Sequence, residues 1–313
     1  MVRGALISSL VLVLSLSAAR GQEKPPADWK WDAKKWSTAK PTEVAKKGDK
    51  RTREGHESDV KQQKVTEEGN EAKDEKSSYE VSFKYVQEIL AVDDAGKPTK
   101  AKLAIERWVS QSSEGAADKS LEGKFVILEK NADGDLEKTV QDADGKGVAE
   151  LSSPARQWLT TLWLERAPGD RKLDVLLPEK PLAPESEWSI DAQKLAAAMF
   201  GPKTKVDEKA SKAAGKLTGV HMESGVAHGK MSIELDIKLT TVPGASGKWT
   251  EGGTFAMTIA YEGSLENKFD GAHAMKMTVD FGGKAEIEAG GKKGTLDMKI
   301  QQAKDEKQGR LER

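Results

Sequence analysis

The sequence predicts a mainly β protein: a curved antiparallel sheet or half-barrel of about ten strands packed on one or two helices. Three observations predict it. From Gly229 to Gln301 apolar residues recur at every second position, as Met231, Ile233, Leu235, Ile237 and Leu239, then Phe255, Met257, Ile259 and Tyr261, then Met275, Met277, Val279 and Phe281, then Leu296, Met298 and Ile300. Strand side chains alternate faces, so each segment offers one oily face and one wet face. Clusters such as Asp93-Asp94-Ala95-Gly96, Asn131-Ala132-Asp133-Gly134 and Asp144-Gly145 punctuate the chain as turns. Only two stretches show helical spacing.

Taken in order, the chain opens with Met1-Val2-Arg3, an apolar run from Ala5 to Leu16, and small residues at Ser17-Ala18-Ala19. That is the pattern of a cleavable secretory signal peptide, cut after Ala19 or Gly21, and the run falls short of the ~20 residues of a membrane span. No cysteine follows it, so it predicts no lipid anchor. Gln22 to Lys47 carries Trp29, Trp31 and Trp36 among lysines and prolines, and reads as a poorly ordered tail that docks through its indoles. Gly48 to Ser78 is nearly all polar and reads as long exposed strands around a Gly69-Asn70 turn. Tyr79, Val81, Phe83 and Tyr85 alternate. On the return strand Leu103, Ile105 and Val109 take one face and Trp108 the other. A hairpin follows across Asn131–Asp135.

The period then changes. Ser153-Pro154 sets an N-cap with proline in the first turn, and Ala155, Trp158, Leu159, Leu162 and Trp163 make a helix of about 13 residues. An extended, proline-stiffened segment runs from Leu173 to Leu182 and on to Trp188. Asp191 caps a second short helix through Leu195, Ala196, Met199 and Phe200, ended by Gly201-Pro202. A Lys-rich connector then leads back to strands. The organisation expected is a signal peptide (1–21), a Trp/Lys-rich tail (22–47), one β-rich domain (48–302) and a charged C-terminal tail (303–313).

The Leu177-Pro178-Glu179-Lys180-Pro181 segment, with Trp188 shortly after it and a glycine-punctuated meander beyond, resembles a family of uncharacterised secreted bacterial β-rich proteins. Where many members carry a Gly-Asp-x-Trp turn, this chain reads Glu185-Ser186-Glu187-Trp188. The likeness covers roughly Tyr79 to Ile300. In outline such proteins are similar to the half-barrel lipoprotein carriers of the periplasm, and the resemblance implies a curved sheet around helices and no catalytic residues.

Composition narrows the function. The chain has no cysteine, which removes thiol catalysis, disulfides and cysteine-ligated zinc and fits a bacterial exported protein. Net charge is −1 with 32% charged residues, so no basic field exists to hold nucleic acid. Asn131, Asp133 and Asp135 alternate as calcium ligands do, but the twelfth position is Asp142 and a strand precedes them. No Gly-x-Ser-x-Gly appears, and Gly290-Gly291-Lys292-Lys293-Gly294 precedes a strand rather than a helix, so it is no phosphate loop. A Ser224-Gly225 turn would set His221 opposite His228 on the wet face, close enough to share Zn²⁺ or Cu²⁺, but no third ligand is specified. The pair reads as exposed, and no metal or cofactor is assigned.

About ten strands of eight residues present an apolar face near ~1,250 Å². Two helices of about 13 and 10 residues cover only ~350 Å². The remainder must be covered by curling of the sheet, by a ligand or by a partner. Every methionine but Met1 lies between Met199 and Met298, and methionine lines surfaces that adapt to varied apolar guests. The leading expectation is an exported non-enzymatic protein that binds a lipid-like ligand, or an apolar segment of another exported protein, along Trp158, Trp163, Met231, Met257, Met275, Met277 and Met298. An envelope structural protein with a filled core is the alternative, and a carboxylate-dependent hydrolase the third.

Overall fold

The computed structural model describes residues 23–33, 45–67, 73–113, 115–148, 150–162, 164, 174–223, 225–243, 246–265, 272–289, 292–309 and 312. The expected signal peptide, Trp36 and Trp163 lie outside them. Eleven strands make one antiparallel sheet: β1 (Lys50–Glu67), β2 (Lys73–Val92), β3 (Pro98–Ser112), β4 (Phe125–Lys130), β5 (Leu136–Gln141), β6 (Glu187–Ser189), β7 (Lys212–Glu223), β8 (Val226–Lys238), β9 (Ser246–Ser264), β10 (His273–Ala289) and β11 (Lys292–Gln308). Two helices, α1 (Ser153–Thr160) and α2 (Ala192–Phe200), and a 3-10 turn (Asp174–Leu176) complete the described elements. Strand order is β5-β4-β3-β2-β1-β11-β10-β9-β8-β7-β6. The sheet is curved and does not close, which makes it a half-barrel.

Two runs of hairpins, β1 to β5 and β6 to β11, are zipped together where β1 meets β11, from Arg53 opposite Gln308 to Glu67 opposite Gly294. Turn chemistry explains the hairpins. Asp93, Asn131 and Asp142 each accept backbone N–H bonds two and four residues on through a side-chain oxygen. The glycine that follows each of them adopts positive φ. These side chains serve their own loops, as the turn reading expects.

The concave face holds two separate cores. One lies under α1, where Trp158 packs 5.7 to 6.1 Å, centre to centre, from Phe83, Tyr85 and Trp108. Ser152 caps this helix by accepting from Ala155 N, and Ser152 Oγ donates to Asp118. The other lies under α2 and the 3-10 turn, where Leu195, Leu217, Ile233, Ile237 and Phe255 are fully enclosed. Here Trp188 lies flat on Gly215, donates Nε1–H to Leu176 O at 2.8 Å and meets Trp31 edge-on at 6.1 Å. The Trp31 backbone also bridges to Leu182, so this part of the 22–47 segment is held both by its main chain and by its buried indole.

Three expectations need correction. The Trp158 helix, α1, which packs on the β2–β5 half, has 8 residues rather than about 13, closed by the Thr161 N–H on Trp158 O. Trp108 faces inward with Leu103 and Ile105, because Glu106 is an extra residue in β3: Lys84 pairs with Arg107 but Tyr85 with Ile105. Such a bulge reverses the alternation beyond it. Residues 303–308 are the end of β11, not a tail, and Glu312 bridges back to Lys50.

Candidate functional site

Between the two helix-covered cores runs a strip of concave surface formed by β1, β11 and β10. In-register residues share a face, so the register defines the rows of the strip. One row reads Phe83, Gly55, Glu306, Met275, Tyr261 and Met231. The next reads Val81, Glu57, Lys304, Met277, Ile259 and Ile233. Each row is apolar at both ends and charged in the middle. The apolar face that periodicity predicts is therefore interrupted: the inward positions of β1 are Arg51, Arg53, Gly55, Glu57 and Asp59.

These charges satisfy one another. Lys304 Nζ lies 2.6 Å from Glu57 and 3.1 Å from Glu306, and the three side chains are 22, 24 and 10% exposed. Arg53 donates Nε–H and Nη2–H to Gln308 Oε1 and stands 3.8 Å from Glu306. Arg51 donates to Gln87. Burial opposes ionisation of Glu306, but Arg53 and Lys304 outweigh it and hold the carboxyl below its ordinary range. Burial likewise pulls the Lys304 ammonium down, and Glu306 with Glu57 more than restores it, leaving it raised. Burial alone raises the Tyr261 phenol, whose OH donates to Ser264 O and whose ring stacks on His273.

The predicted lining residues fall into three groups. Trp158, Met231 and Met257 are 2, 7 and 2% exposed and serve as core. Met275 and Met277 stay half-buried beside the charged strip, on the margin of the α2 core. Met298 joins a small satellite cluster with Leu296, Ala285 and Trp249 farther along the sheet. Phe281 continues the β10 row and is stacked by Phe200 of α2 at 5.2 Å. An open groove of about 820 Å³ lies at the same end of the sheet as the satellite cluster, lined by Thr66, Ser246, Glu286, Lys293 and neighbours, none of them methionine.

The charged strip was not anticipated, because residues 303–313 read as a tail and β1 as exposed on both faces. A signal was present: Arg51, Arg53, Glu57 and Asp59 share the parity that β2 turns inward. Among the described residues, no group of three or more His, Asp or Glu side chains converges on a point that could hold a metal. None of the described helices is long and apolar enough to cross a membrane. Comparison with protein-family models and with curated proteins returns no match.

Proposed function

We propose that this is an exported, non-enzymatic binding protein of the bacterial envelope, similar in outline to the periplasmic half-barrel carriers, and that its concave face takes an apolar guest. The observation that carries the reading is the β10 row of Met275, Met277 and Val279. It remains half-buried in an open, curved sheet, between the core sealed by α2 on one side and the charged strip of β11 and β1 on the other. An apolar strip bordered by a polar network suits a lipid-like molecule, whose chain lies on the methionines and whose polar end reaches the network. The leader-like first 21 residues support export.

A long-chain fatty acid bearing a fluorescent or spin label tests this. The reading expects saturable binding that Met277→Asp and Met275→Asp each weaken at least tenfold, with unchanged circular dichroism. Absence of saturable binding by the wild-type protein would remove it. The alternative, a structural protein with a filled interior, is favoured by the depth at which Met231 and Met257 are buried.

A further inference from the structure

We propose that His221 and His228 form a binding site for an imidazole-seeking divalent cation, Cu²⁺ in first place and Zn²⁺ in second, on the convex face of the β7–β8 hairpin. The two residues are direct cross-strand partners. Their neighbours Met222 and Ala227 pack into the concave core, so both imidazoles stand on the opposite, solvent-facing side. The rings lie with centres 5.8 Å apart and planes 24° from parallel. Two imidazoles bound to one tetrahedral metal through nitrogens at about 2.0–2.1 Å place their centres roughly 5 Å apart. The observed separation is therefore within a side-chain rotation of the bound geometry.

The backbone around His221 is built to hold it there. Between Thr218 and His221 the register slips, and Gly219 and Val220 together oppose the single residue Gly229. Such a bulge re-aims the side chain that follows it. It is pinned at both ends of one residue. Gly219, at φ 60°, gives its N–H to the Glu185 carboxylate at 2.7 Å, and its carbonyl oxygen lies 3.1 Å from His221 Nδ1. Glu185 is itself the one non-glycine residue with positive φ among the described residues. Strain of this kind persists only where surrounding contacts enforce it.

The consequence for chemistry is a chosen tautomer. With Nδ1–H donated to the Gly219 carbonyl, the His221 lone pair sits on Nε2, directed away from the backbone. A ligand histidine held by a carbonyl through its second nitrogen is the usual outer arrangement of metal sites. Imidazole nitrogens favour late first-row cations over Mg²⁺ or Ca²⁺, and Cu²⁺ over Zn²⁺. Water completes the coordination, and Glu223 lies two residues beyond His221 on the same face. Glu185 is a positioning residue here, acting through the Gly219 peptide.

The untagged full-length protein, titrated with Cu²⁺ and separately with Zn²⁺ by calorimetry, tests the site. One Cu²⁺ per chain is expected, with Zn²⁺ weaker. His221→Asn and His228→Asn should each weaken Cu²⁺ at least tenfold, while His56→Asn and His273→Asn leave it unchanged. Glu185→Ala should weaken it by a smaller factor, and the paramagnetic resonance spectrum of the wild-type complex should show coupling to two imidazole nitrogens. That spectrum needs no variant to fold. A wild-type spectrum without imidazole coupling, no one-to-one binding, or equal affinity in the double asparagine variant overturns the proposal.

Discussion

Replacing Gly215 by alanine tests how the α2 core is assembled. A β-carbon on Gly215 would stand 2.1 Å from Trp188 Cζ2 and 2.2 Å from Cε2. Restoring an ordinary carbon–carbon contact of about 3.5 Å moves the indole by about 1.4 Å. At that displacement the 2.8 Å bond from Trp188 Nε1 to Leu176 O is lost, and so is the edge-on contact with Trp31. The bond contributes about 1 kcal/mol and the aromatic contact about 0.5–1.5 kcal/mol. Overpacking adds about 1–3 kcal/mol, and the alanine returns roughly 0.5 kcal/mol through lower chain entropy. The expected loss is about 3 kcal/mol, read as a lower urea midpoint with unchanged slope in tryptophan fluorescence. In a Trp188→Ala background the same glycine change should cost nothing. A loss below about 0.5 kcal/mol in the wild type, or an equal loss in both backgrounds, refutes the reasoning.

Three further outcomes follow from the geometry. Lys304→Met takes the cation from Glu57 and leaves Glu306 with Arg53 alone, and should cost about 3 kcal/mol, the low end for a buried pair; adding Glu57→Gln and Glu306→Gln should recover most of it in urea unfolding. Since the folded-state pKa of Glu306 is lowered, its contribution is fully present above the unfolded value of about 4.3 and is lost as pH falls through the lower folded value. The urea midpoint should therefore drop below about pH 4.5, and Glu306→Gln should show a shallower drop. Deleting Glu106 removes the bulge, so either Trp108 or Ile105 must turn outward; thermal melting should fall by at least ten degrees, whereas Glu106→Ala, which keeps the residue count, should cost less than about 1 kcal/mol.

Much of the sheet was legible because two-residue alternation is a local signal. Met231 to Leu239 and Met275 to Phe281 each carry it unbroken, and the His221–His228 register followed from the turn alone. Asp191 and Gly201 bounded α2 correctly because its caps are also local. What was not legible depended on distant partners. The inward charges of β1 make sense only beside β11, and Arg53 lies 255 residues from Gln308. The bulge at Glu106 has no composition of its own, so Trp108 read on the wrong face. The polar seam also undoes the coverage estimate, which assumed that every strand contributes oil. With the centre charged, each helix has a smaller patch to seal, and two short helices go further than their area suggested.

The union of β1 with β11 has a consequence for how the chain comes together. Its first half-sheet must wait, with one margin bare, until residues some two hundred and fifty positions later arrive. An oily margin would attract other chains during that interval. Lined instead with Arg51, Arg53, Glu57, Asp59 and Lys61, the waiting strand is poor bait for strangers, and Arg53 and Glu57 meet their partners on the one complementary strand that carries Lys304, Glu306 and Gln308.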